Sequence, residues 1–348
     1  MGDRYIRQTT FGEIGAAGQE RISRSRAAVI GLGAVGSRTA ELLARAGVGS
    51  LKLIDRDVVY ESNLPRMSLY REQDAADGIP KAEAAARGIL EVNARIRVQA
   101  VTEDVNNQNV DDMLTGIDLV IDGTDNSEAK FLLGEACRRR KIPWIYTAAV
   151  GSAGRTQNFL PFDDWPCLRC TMTYDGAKDA PTCLTEGVLG STTAMIAAAA
   201  AAEALKILVG SAKVRREMLY VDDWNGIFRK ISLGKNPECP VCVYGRYSYY
   251  GRPSGLQAAA LCGRDSVQII PAAERQVDFD GIALRLGAFG TVKRNAFTLD
   301  FDDGAAEIKL FKNGRAIIKH AGNVDQAKSI YNRYIGDSTR KCGQENTK

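Results

Sequence analysis

The sequence predicts an α/β protein built around a doubly wound, mostly parallel Rossmann-like sheet. Gly31, Gly33 and Gly36 lie between the apolar run 27–30 and a helical run. Glycines at this spacing let the backbone turn sharply and bring its N–H groups close to a ligand phosphate at the helix N-terminus. A second strand then ends on Asp55, which completes a βαβ unit. The start of the chain is therefore predicted to bind a nucleotide, and these glycines alone do not separate NAD, FAD and ATP.

Apolar and helical runs alternate through the first part of the chain, as they do in a doubly wound sheet. Predicted strands are 27–30, 51–54, 96–101, 119–121 and 144–147, and predicted helices are 37–46, 81–92, 110–114 and 128–139. After Gly151 the pattern changes to antiparallel strands, which are predicted at 155–160, 218–221 and 227–232, with a helix at about 192–208. The sheet is therefore expected to continue from parallel into antiparallel strands.

A stretch rich in Tyr, Gly and Arg at 244–255 marks a predicted domain boundary. Beyond it, predicted strands are 267–270, 298–301, 308–311 and 316–319, and predicted helices are 279–286 and 324–334. We expect one domain at 1–245, a small α+β domain at 250–336 and a disordered tail at 337–348.

Composition excludes several classes of protein. The net charge of +4 is spread without a basic tract, so nucleic acid is not an expected partner. No signal peptide is predicted, and the cytoplasm is the expected location. The apolar segment 194–209 carries Glu203 and Lys206 and is short for a bilayer, which favours a buried helix over a membrane span. The single histidine, His320, nearly excludes Ser–His catalysis and His-ligated metals.

Charged residues near the ends of the predicted strands indicate which nucleotide binds. Asp55 is placed where such folds hydrogen-bond a ribose, and a loop cap is the alternative. Arg66 and Lys81 lie near the same end of the sheet, and two cations suit attack on a phosphate better than hydride transfer. Either cation alone is commonly a surface charge. Asp125 follows a buried strand and can hold Mg²⁺, cap the helix that begins near Ser127, or do both.

Two C-x-x-C pairs predict a zinc site. Cys167, Cys170, Cys239 and Cys242 have the pair spacing of a tetrahedral Cys₄ site, although the two pairs are about 70 residues apart. Four thiolates leave no open coordination position, so the metal is expected to be structural. Cys183 lies just upstream of a helix N-terminus and is either a nucleophilic or sulfur-carrying thiol or an inert one.

Together these motifs resemble the ThiF/MoeB/HesA family, the bacterial relatives of the ubiquitin-activating enzymes. The resemblance covers about the first 245 residues and rests on segments 4–8, 31–36, 62–66, 80–81, 124–126 and 182–183, on Asp55 and on both cysteine pairs. It implies binding of Mg-ATP and adenylylation of the C-terminal Gly-Gly carboxylate of a ubiquitin-like sulfur carrier protein, with release of pyrophosphate. The carrier would then serve thiamin, molybdopterin or related thio-cofactor biosynthesis, with a sulfur donor such as a cysteine desulfurase.

The same resemblance implies roles for individual residues. The implied nucleotide-binding residues are Gly31, Gly33, Gly36, Asp55, Ser62, Asn63, Arg66, Lys81, Asp125 and Asn126. The implied catalytic residues are Arg66, Lys81, Asp125, Arg7 and Cys183. Arg7 would reach the ATP of the other subunit, which makes a homodimer the expected catalytic unit. Cys183 matches the position that becomes linked to the carrier through sulfur in thiamin-pathway members.

Two alternative functions stay open at this point. An NAD-dependent oxidoreductase with structural zinc needs only the glycine loop and Asp55, and it predicts indifference to Lys81 or Arg66. A non-catalytic scaffold that binds a ubiquitin-like protein would carry a degenerate site, and the presence of Arg66, Lys81 and Asp125 together speaks against it.

The region 250–336 is not explained by the adenylyltransferase core. Its segments 261–268 and 330–334 resemble the small C-terminal extension of ThiF-like proteins from Gram-positive bacteria. We expect this domain to dock the carrier or to support the dimer.

Overall fold

The chain divides between Pro253 and Ser254 into two units, each with its own apolar core. The computed structural model describes residues 3–162, 164–172, 186–251, 257–260, 266–271 and 276–335.

One mixed sheet forms the centre of the first unit. Its strands are β1 (Arg26–Ile30), β2 (Ser50–Ile54), β3 (Arg97–Val101), β4 (Leu119–Asp122), β5 (Trp144–Val150), β6 (Ala153–Phe159), β7 (Met218–Asp222) and β8 (Ile227–Ile231). They lie in the order β3-β2-β1-β4-β5-β6-β7-β8. Strands β1 to β5 are parallel, and β6, β7 and β8 are antiparallel to their neighbours. The predicted change from parallel to antiparallel pairing is confirmed.

The centre of this sheet also sets the position of the site. Strand β1 pairs with β2 on one side and β4 on the other, and residues 27–30 are buried as a continuous apolar run. The chain order reverses between β1 and β4. Open α/β sheets bind ligands at the carboxyl ends of the strands at such a switch point, because the following loops diverge there and leave a crevice.

Helices cover the sheet of the first unit. They are α1 (Ile6–Thr10), α2 (Gly15–Arg24), α3 (Ala34–Ala46), α4 (Glu72–Ala76), α5 (Lys81–Val92), α6 (Val110–Leu114), α7 (Ser127–Arg140), α8 (Leu168–Thr171) and α9 (Gly190–Val209), with a 3-10 helix at Glu61–Arg66. The helices predicted in this unit are present at nearly their predicted bounds. The 3-10 helix, α4 and α8 were not predicted, because each is too short to show a helical period.

Helix α9 packs against α3, β5 and β6. Among the described residues it is the one helix that is long and apolar enough to cross a membrane by length and composition, and half of that apolar window is buried. Its Glu203 is also buried, and the carboxylate accepts hydrogen bonds from the Asn158 side-chain amide at 2.7 Å and the Arg215 backbone N–H at 2.9 Å. These contacts tie α9 to β6 and to the segment before β7.

A second buried carboxylate fixes the end of the first unit. Glu135 on α7 accepts hydrogen bonds from the backbone N–H groups of Ser248, Tyr249 and Tyr250 at 2.8 to 3.0 Å. Because burying an unpaired carboxylate is costly, these three donors are needed where the chain passes over α7.

The second unit is an antiparallel sheet packed on two helices. Its strands are β9 (Gln257–Ala260), β10 (Ser266–Ile270), β11 (Thr291–Arg294), β12 (Thr298–Asp302), β13 (Glu307–Phe311) and β14 (Ala316–Lys319), and its helices are α10 (Phe279–Leu286) and α11 (Val324–Tyr334). The strand order is β11-β12-β13-β14-β10-β9. Strands β9 and β11 were not predicted. The predicted disordered tail lies outside the described residues.

Candidate active site

Three glycines let two backbone turns touch at the switch point. Gly31 follows β1 with φ of 83°, and a Cβ there would lie 2.6 Å from the backbone of Gly123 and Thr124. A Cβ on Gly36 or on Gly123 would overlap the carbonyl oxygen of Gly31. The turn after β1, the first turn of α3 and the turn after β4 therefore interlock only without side chains.

Gly33 has a different environment. It is the N-cap of α3 with φ of −69°, and a Cβ built on it meets no described atom within 4 Å. Packing therefore does not require glycine here. The first N–H groups of a helix lack partners within the helix, so open space beside Gly33 suits an anion such as a phosphate.

Asp55 holds the glycine loop from the end of β2. Its two carboxylate oxygens accept hydrogen bonds from the backbone N–H groups of Leu32, at 2.6 Å, and Asp57, at 2.7 Å. Burial raises the pKa of Asp55, and the positive charge of Lys81 opposes that effect. The loop-capping alternative thus describes contacts that the structure contains. Each carboxylate oxygen also has a further lone pair, so a ribose contact is compatible with this arrangement.

Lys81 begins α5 beside the same loop. Its Nζ lies 3.1 Å from Oδ2 of Asp57, and the side chain is 9 % exposed. The Lys81 backbone N–H also donates to the Asp57 carbonyl oxygen at 2.9 Å. Backbone and side chain of Asp57 together fix the direction of the ammonium group.

Arg56, between Asp55 and Asp57, points toward the segment that follows β3. It forms an ion pair of 3.0 Å with Asp104, and both side chains are about one fifth exposed. Burial lowers the pKa of Arg56, but neighbouring carboxylates outweigh that effect and raise it overall. Those carboxylates belong to Asp104, Asp125 and Asp55. Arg56 therefore lies within the electrostatic reach of the loop after β4.

Asp125 is exposed in that loop. The next residue, Asn126, caps α7 by accepting a hydrogen bond from the Glu128 N–H at 2.9 Å. The alternative that Asp125 caps this helix is wrong, because Asn126 occupies the cap position. The Asp125 carboxylate is thus an exposed hard-oxygen ligand at the switch point, of the kind that Mg²⁺ prefers.

A buried ion pair stabilises the loop after β4. Nζ of Lys130 lies 3.1 Å from Oδ2 of Asp122 and also donates to the Thr147 carbonyl oxygen at 2.9 Å. The other carboxylate oxygen of Asp122 accepts from the backbone N–H and the hydroxyl of Thr124. The pair therefore joins β4, β5 and the loop that carries the exposed carboxylate.

The 3-10 helix Glu61–Arg66 carries three of the predicted nucleotide-binding residues. Asn63 is buried, and its Oδ1 accepts a hydrogen bond from the Tyr60 N–H at 3.1 Å. The guanidinium of Arg66 donates to the carbonyl oxygen of Ser62 within the same turn. Arg66 is partly exposed and therefore accessible to a ligand.

Arg7 lies far from the glycine loop of its own chain. It is exposed on α1, where the neighbouring Gln8 donates to the carbonyl oxygen of Ala46 at 2.9 Å. Ala46 is the last residue of the 13-residue helix α3, whereas Gly33 precedes the first. At 1.5 Å per residue the two ends are about 20 Å apart. The structure does not bring Arg7 together with the other predicted site residues.

The four predicted zinc ligands lie together. Sγ of Cys167 is 3.5 Å from that of Cys239 and 3.9 Å from that of Cys170, and the Cys170 and Cys242 sulfurs are 3.4 Å apart. All four sulfurs lie within 4.8 Å of one another. A tetrahedral zinc ion with Zn–S bonds of about 2.3 Å separates its sulfurs by about 3.8 Å, so the cluster fits one.

One predicted site residue lies outside the described part of the chain, and two residues of the site were not predicted. Cys183 lies outside the described residues, so its role stays a prediction. Asp57 and Lys130 were missed, although each had a signal. Asp57 lies two residues beyond Asp55, and Lys130 lies on the first turn of a helix that begins at the switch point. Charged residues so close to a ligand-binding edge are candidates for ion pairs there.

The chain is similar to proteins of known activity. A profile of the ThiF family matches residues 5–241. The sulfur carrier protein ThiS adenylyltransferase of Bacillus subtilis is 34 % identical over 339 residues, which cover 97 % of this chain and 100 % of that protein. The SAMP-activating enzyme E1 of Haloferax volcanii is 35 % identical over 245 residues, 70 % of this chain and 89 % of that protein. The molybdopterin-synthase adenylyltransferase of Escherichia coli is 34 % identical over 240 residues, 69 % of this chain and 95 % of that protein.

Solved structures support the fold assignment. A crystal structure of E. coli MccB with ATP matches this chain with a TM-score of 0.60 and 21 % identity, over 70 % of this chain and 75 % of that chain. At this identity the match shows the shared fold alone. The predicted Rossmann-like α/β fold is confirmed.

Substitutions at Gly36, which is crowded, and at Gly33, which has open space beside it, test the packing of the glycine loop. Gly36→Ala places a methyl group against the Gly31 carbonyl, so we expect the free energy of unfolding to fall by roughly 3 kcal/mol or more. Gly33→Ala has open space and an accessible φ, so we expect a change of no more than about 1 kcal/mol. Urea unfolding of both variants measures the difference. Equal losses would contradict the packing described here.

Proposed function

The chain belongs to the ThiF family, and we propose that it is an ATP-dependent adenylyltransferase that activates a ubiquitin-like sulfur carrier protein. The C-terminal Gly-Gly carboxylate of the carrier attacks the α-phosphate of ATP, and pyrophosphate leaves. The observation that carries the proposal is the similarity to ThiS adenylyltransferase, which extends over 97 % of this chain. A ThiS-like carrier is therefore the proposed substrate, and a MoaD-like carrier of molybdopterin biosynthesis is the alternative.

The geometry supports an ATP site at the switch point. The phosphates would bind at Gly33 and the first turn of α3, where N–H groups and open space coincide. Lys81 and Arg66 would offset their negative charge, and Asp55 would bind the ribose. Asp125 would hold the Mg²⁺ that accompanies ATP, whose positive charge further stabilises the phosphates.

The chain's own part in catalysis is positioning and charge stabilisation. An in-line attack needs the carboxylate and the α-phosphate held in line, and it needs cations where negative charge develops. Lys81 is suited to this because Asp57 fixes it before a ligand binds. The named relatives are adenylyltransferases or an activating enzyme, which counts against the NAD-dependent oxidoreductase.

We further propose that the four-cysteine cluster holds one structural zinc ion. Sulfur separations of 3.4 to 3.9 Å are too long for disulfides, which have S–S bonds of about 2.05 Å, and close to those of a tetrahedral site. Bound there, zinc would join the segment around α8 to the turn that follows β8.

A homodimer completes the proposed site. Gln8, the neighbour of Arg7, contacts Ala46, which lies about 20 Å along α3 from Gly33, farther than one side chain reaches. An arginine that serves ATP must therefore serve it in a second copy. Within the same proposal, Cys183 takes part in sulfur transfer from a donor such as a cysteine desulfurase, the second unit docks the carrier or supports the dimer, and the enzyme works in the cytoplasm.

Asp125 provides the first test of the function. Asp125→Asn keeps the size and removes the charge, so we expect carrier-dependent exchange of labelled pyrophosphate into ATP to fall about 100-fold or more. Asp118→Asn, at the opposite end of β4, is the matched control and should stay within about two-fold of the wild type. Retained exchange in Asp125→Asn would refute its metal role. No exchange in the wild type with either a ThiS-like or a MoaD-like carrier would refute the function.

Mixing two inactive variants tests the role of Arg7. Arg7→Ala and Asp125→Asn should each abolish exchange, and a heterodimer of the two has one intact site. Random subunit exchange in an equimolar mixture should therefore restore about one quarter of the wild-type rate, if the dimer is two-fold symmetric. Native mass spectrometry of the mixture would verify that heterodimers form. Heterodimers without activity, or a monomeric active enzyme, would contradict the shared site.

Metal analysis tests the zinc proposal. The purified wild type should contain one zinc ion per chain, measured by atomic absorption. Cys242→Ser should lose it and melt roughly 10 °C or more below the wild type, since the binding energy of a structural metal is folding energy. Cys137→Ala removes a buried thiol outside the cluster and should keep the zinc. Full zinc content in Cys242→Ser would show that the cluster does not hold it.

A further inference from the structure

Both peptide groups of Leu32, in the middle of the glycine loop, are held by side chains from other segments. Its N–H donates to Oδ2 of Asp55 at 2.6 Å. Its carbonyl oxygen accepts a hydrogen bond of 2.7 Å from the hydroxyl of Tyr70. The side chains of Leu32 and Tyr70 are themselves buried in the same apolar core. The loop is therefore fixed from both sides at its central residue.

The bond from Tyr70 also determines the direction of the next N–H group. A trans peptide is planar, so the carbonyl of Leu32 and the N–H of Gly33 point in opposite directions. Holding the carbonyl at Tyr70 turns the Gly33 N–H away from the core. No described residue accepts a hydrogen bond from that N–H, and the space beside Gly33 is open. The Gly33 N–H is thus a directed donor without an acceptor among the described residues, and the space where a Gly33 side chain would lie is open.

The hydroxyl of Tyr70 is suited to keep this bond. Burial raises the pKa of Tyr70 well above its ordinary value, so the phenol stays protonated and can donate. The segment that carries it is also anchored nearby, since Ser68 donates to Glu41 of α3 at 2.6 Å.

We propose that Tyr70 is a positioning residue for the nucleotide phosphates: its hydroxyl holds the Leu32–Gly33 peptide so that the Gly33 N–H binds a phosphate oxygen of ATP. Tyr70 does not touch the nucleotide and acts through the backbone. The inference rests on the proposed ATP site and adds a residue to which no role has been given.

A pair of matched substitutions isolates this effect. Tyr70→Phe removes only the hydroxyl. Tyr331→Phe removes a buried hydroxyl that makes an equivalent bond, 2.7 Å long, to the carbonyl oxygen of Gly314 in the second unit. Both variants lose a buried hydrogen bond between a phenol and a backbone carbonyl, so urea unfolding should show similar losses. Only Tyr70→Phe alters the glycine loop.

The readout is the dependence of binding on phosphate. In Tyr70→Phe the Kd for ATP, measured by calorimetry, should rise about five- to ten-fold. The Ki of adenosine against pyrophosphate exchange should stay unchanged, because adenosine has no phosphate for Gly33 to bind. Tyr331→Phe should leave both constants unchanged.

The outcomes separate this inference from the proposed function. If the wild type binds no ATP, the proposed function fails and the inference fails with it. If the wild type binds ATP and Tyr70→Phe binds it as well as Tyr331→Phe does, the inference alone is overturned. Equal weakening of ATP and adenosine would also overturn it, since Tyr70 would then act on the whole site.

A measurement on the wild type does not depend on how the variants fold. Amide hydrogen exchange at Gly33 should slow when ATP is added and should not slow with adenosine. Exchange at Gly33 that ATP leaves unchanged would overturn the inference.

Discussion

The close approach of two backbone turns, at the carboxyl ends of β1 and β4, is the constraint on which the first unit depends. Gly31, Gly36 and Gly123 meet there, and the Gly123 N–H donates to the Ile30 carbonyl oxygen at 2.8 Å. A side chain at Gly31 or Gly123 would push the two strand ends apart, and one at Gly36 would push α3 away from the Gly31 carbonyl. The turns after β1 and β4 are therefore in direct backbone contact. This contact places the N-terminus of α3 beside the loop that carries Asp125.

Three consecutive residues, 55–57, hold the charged groups of the site in place beside that contact. Asp55 holds the glycine loop, and Asp57 holds Lys81. Arg56 pairs with Asp104, in the segment after β3, and lies within electrostatic reach of Asp125. Because each charge has a partner before a ligand arrives, none bears the full cost of burial. In the proposed ATP site, a phosphate would meet groups that are already oriented, and such preorganisation is what makes electrostatic stabilisation effective.

Features that depend on one segment or on distinctive chemistry could be predicted from the sequence. The βαβ unit follows from local periodicity. The cysteine cluster follows from the two C-x-x-C pairs, whose spacing is typical of metal sites. The capping of α7 was not decided, because Asp125 and Asn126 both favour cap positions and a shift of one residue separates them. The contacts of Glu135 could not be foreseen, since its backbone donors lie more than 110 residues further along the chain. Tyr70 fits an apolar core, and only the folded chain brings its hydroxyl to the glycine loop.

The division into two units separates the proposed chemistry from what distinguishes this chain among its relatives. The first unit contains the glycine loop, Lys81, Asp125 and the cysteine cluster. The relatives from Haloferax and E. coli align over about 70 % of this chain, and ThiS adenylyltransferase over 97 %. An activity that all of them share is therefore expected to reside in the first unit. The second unit has its own sheet and core, so evolution could change the handling of a particular carrier, or of a dimer, without disturbing the nucleotide site.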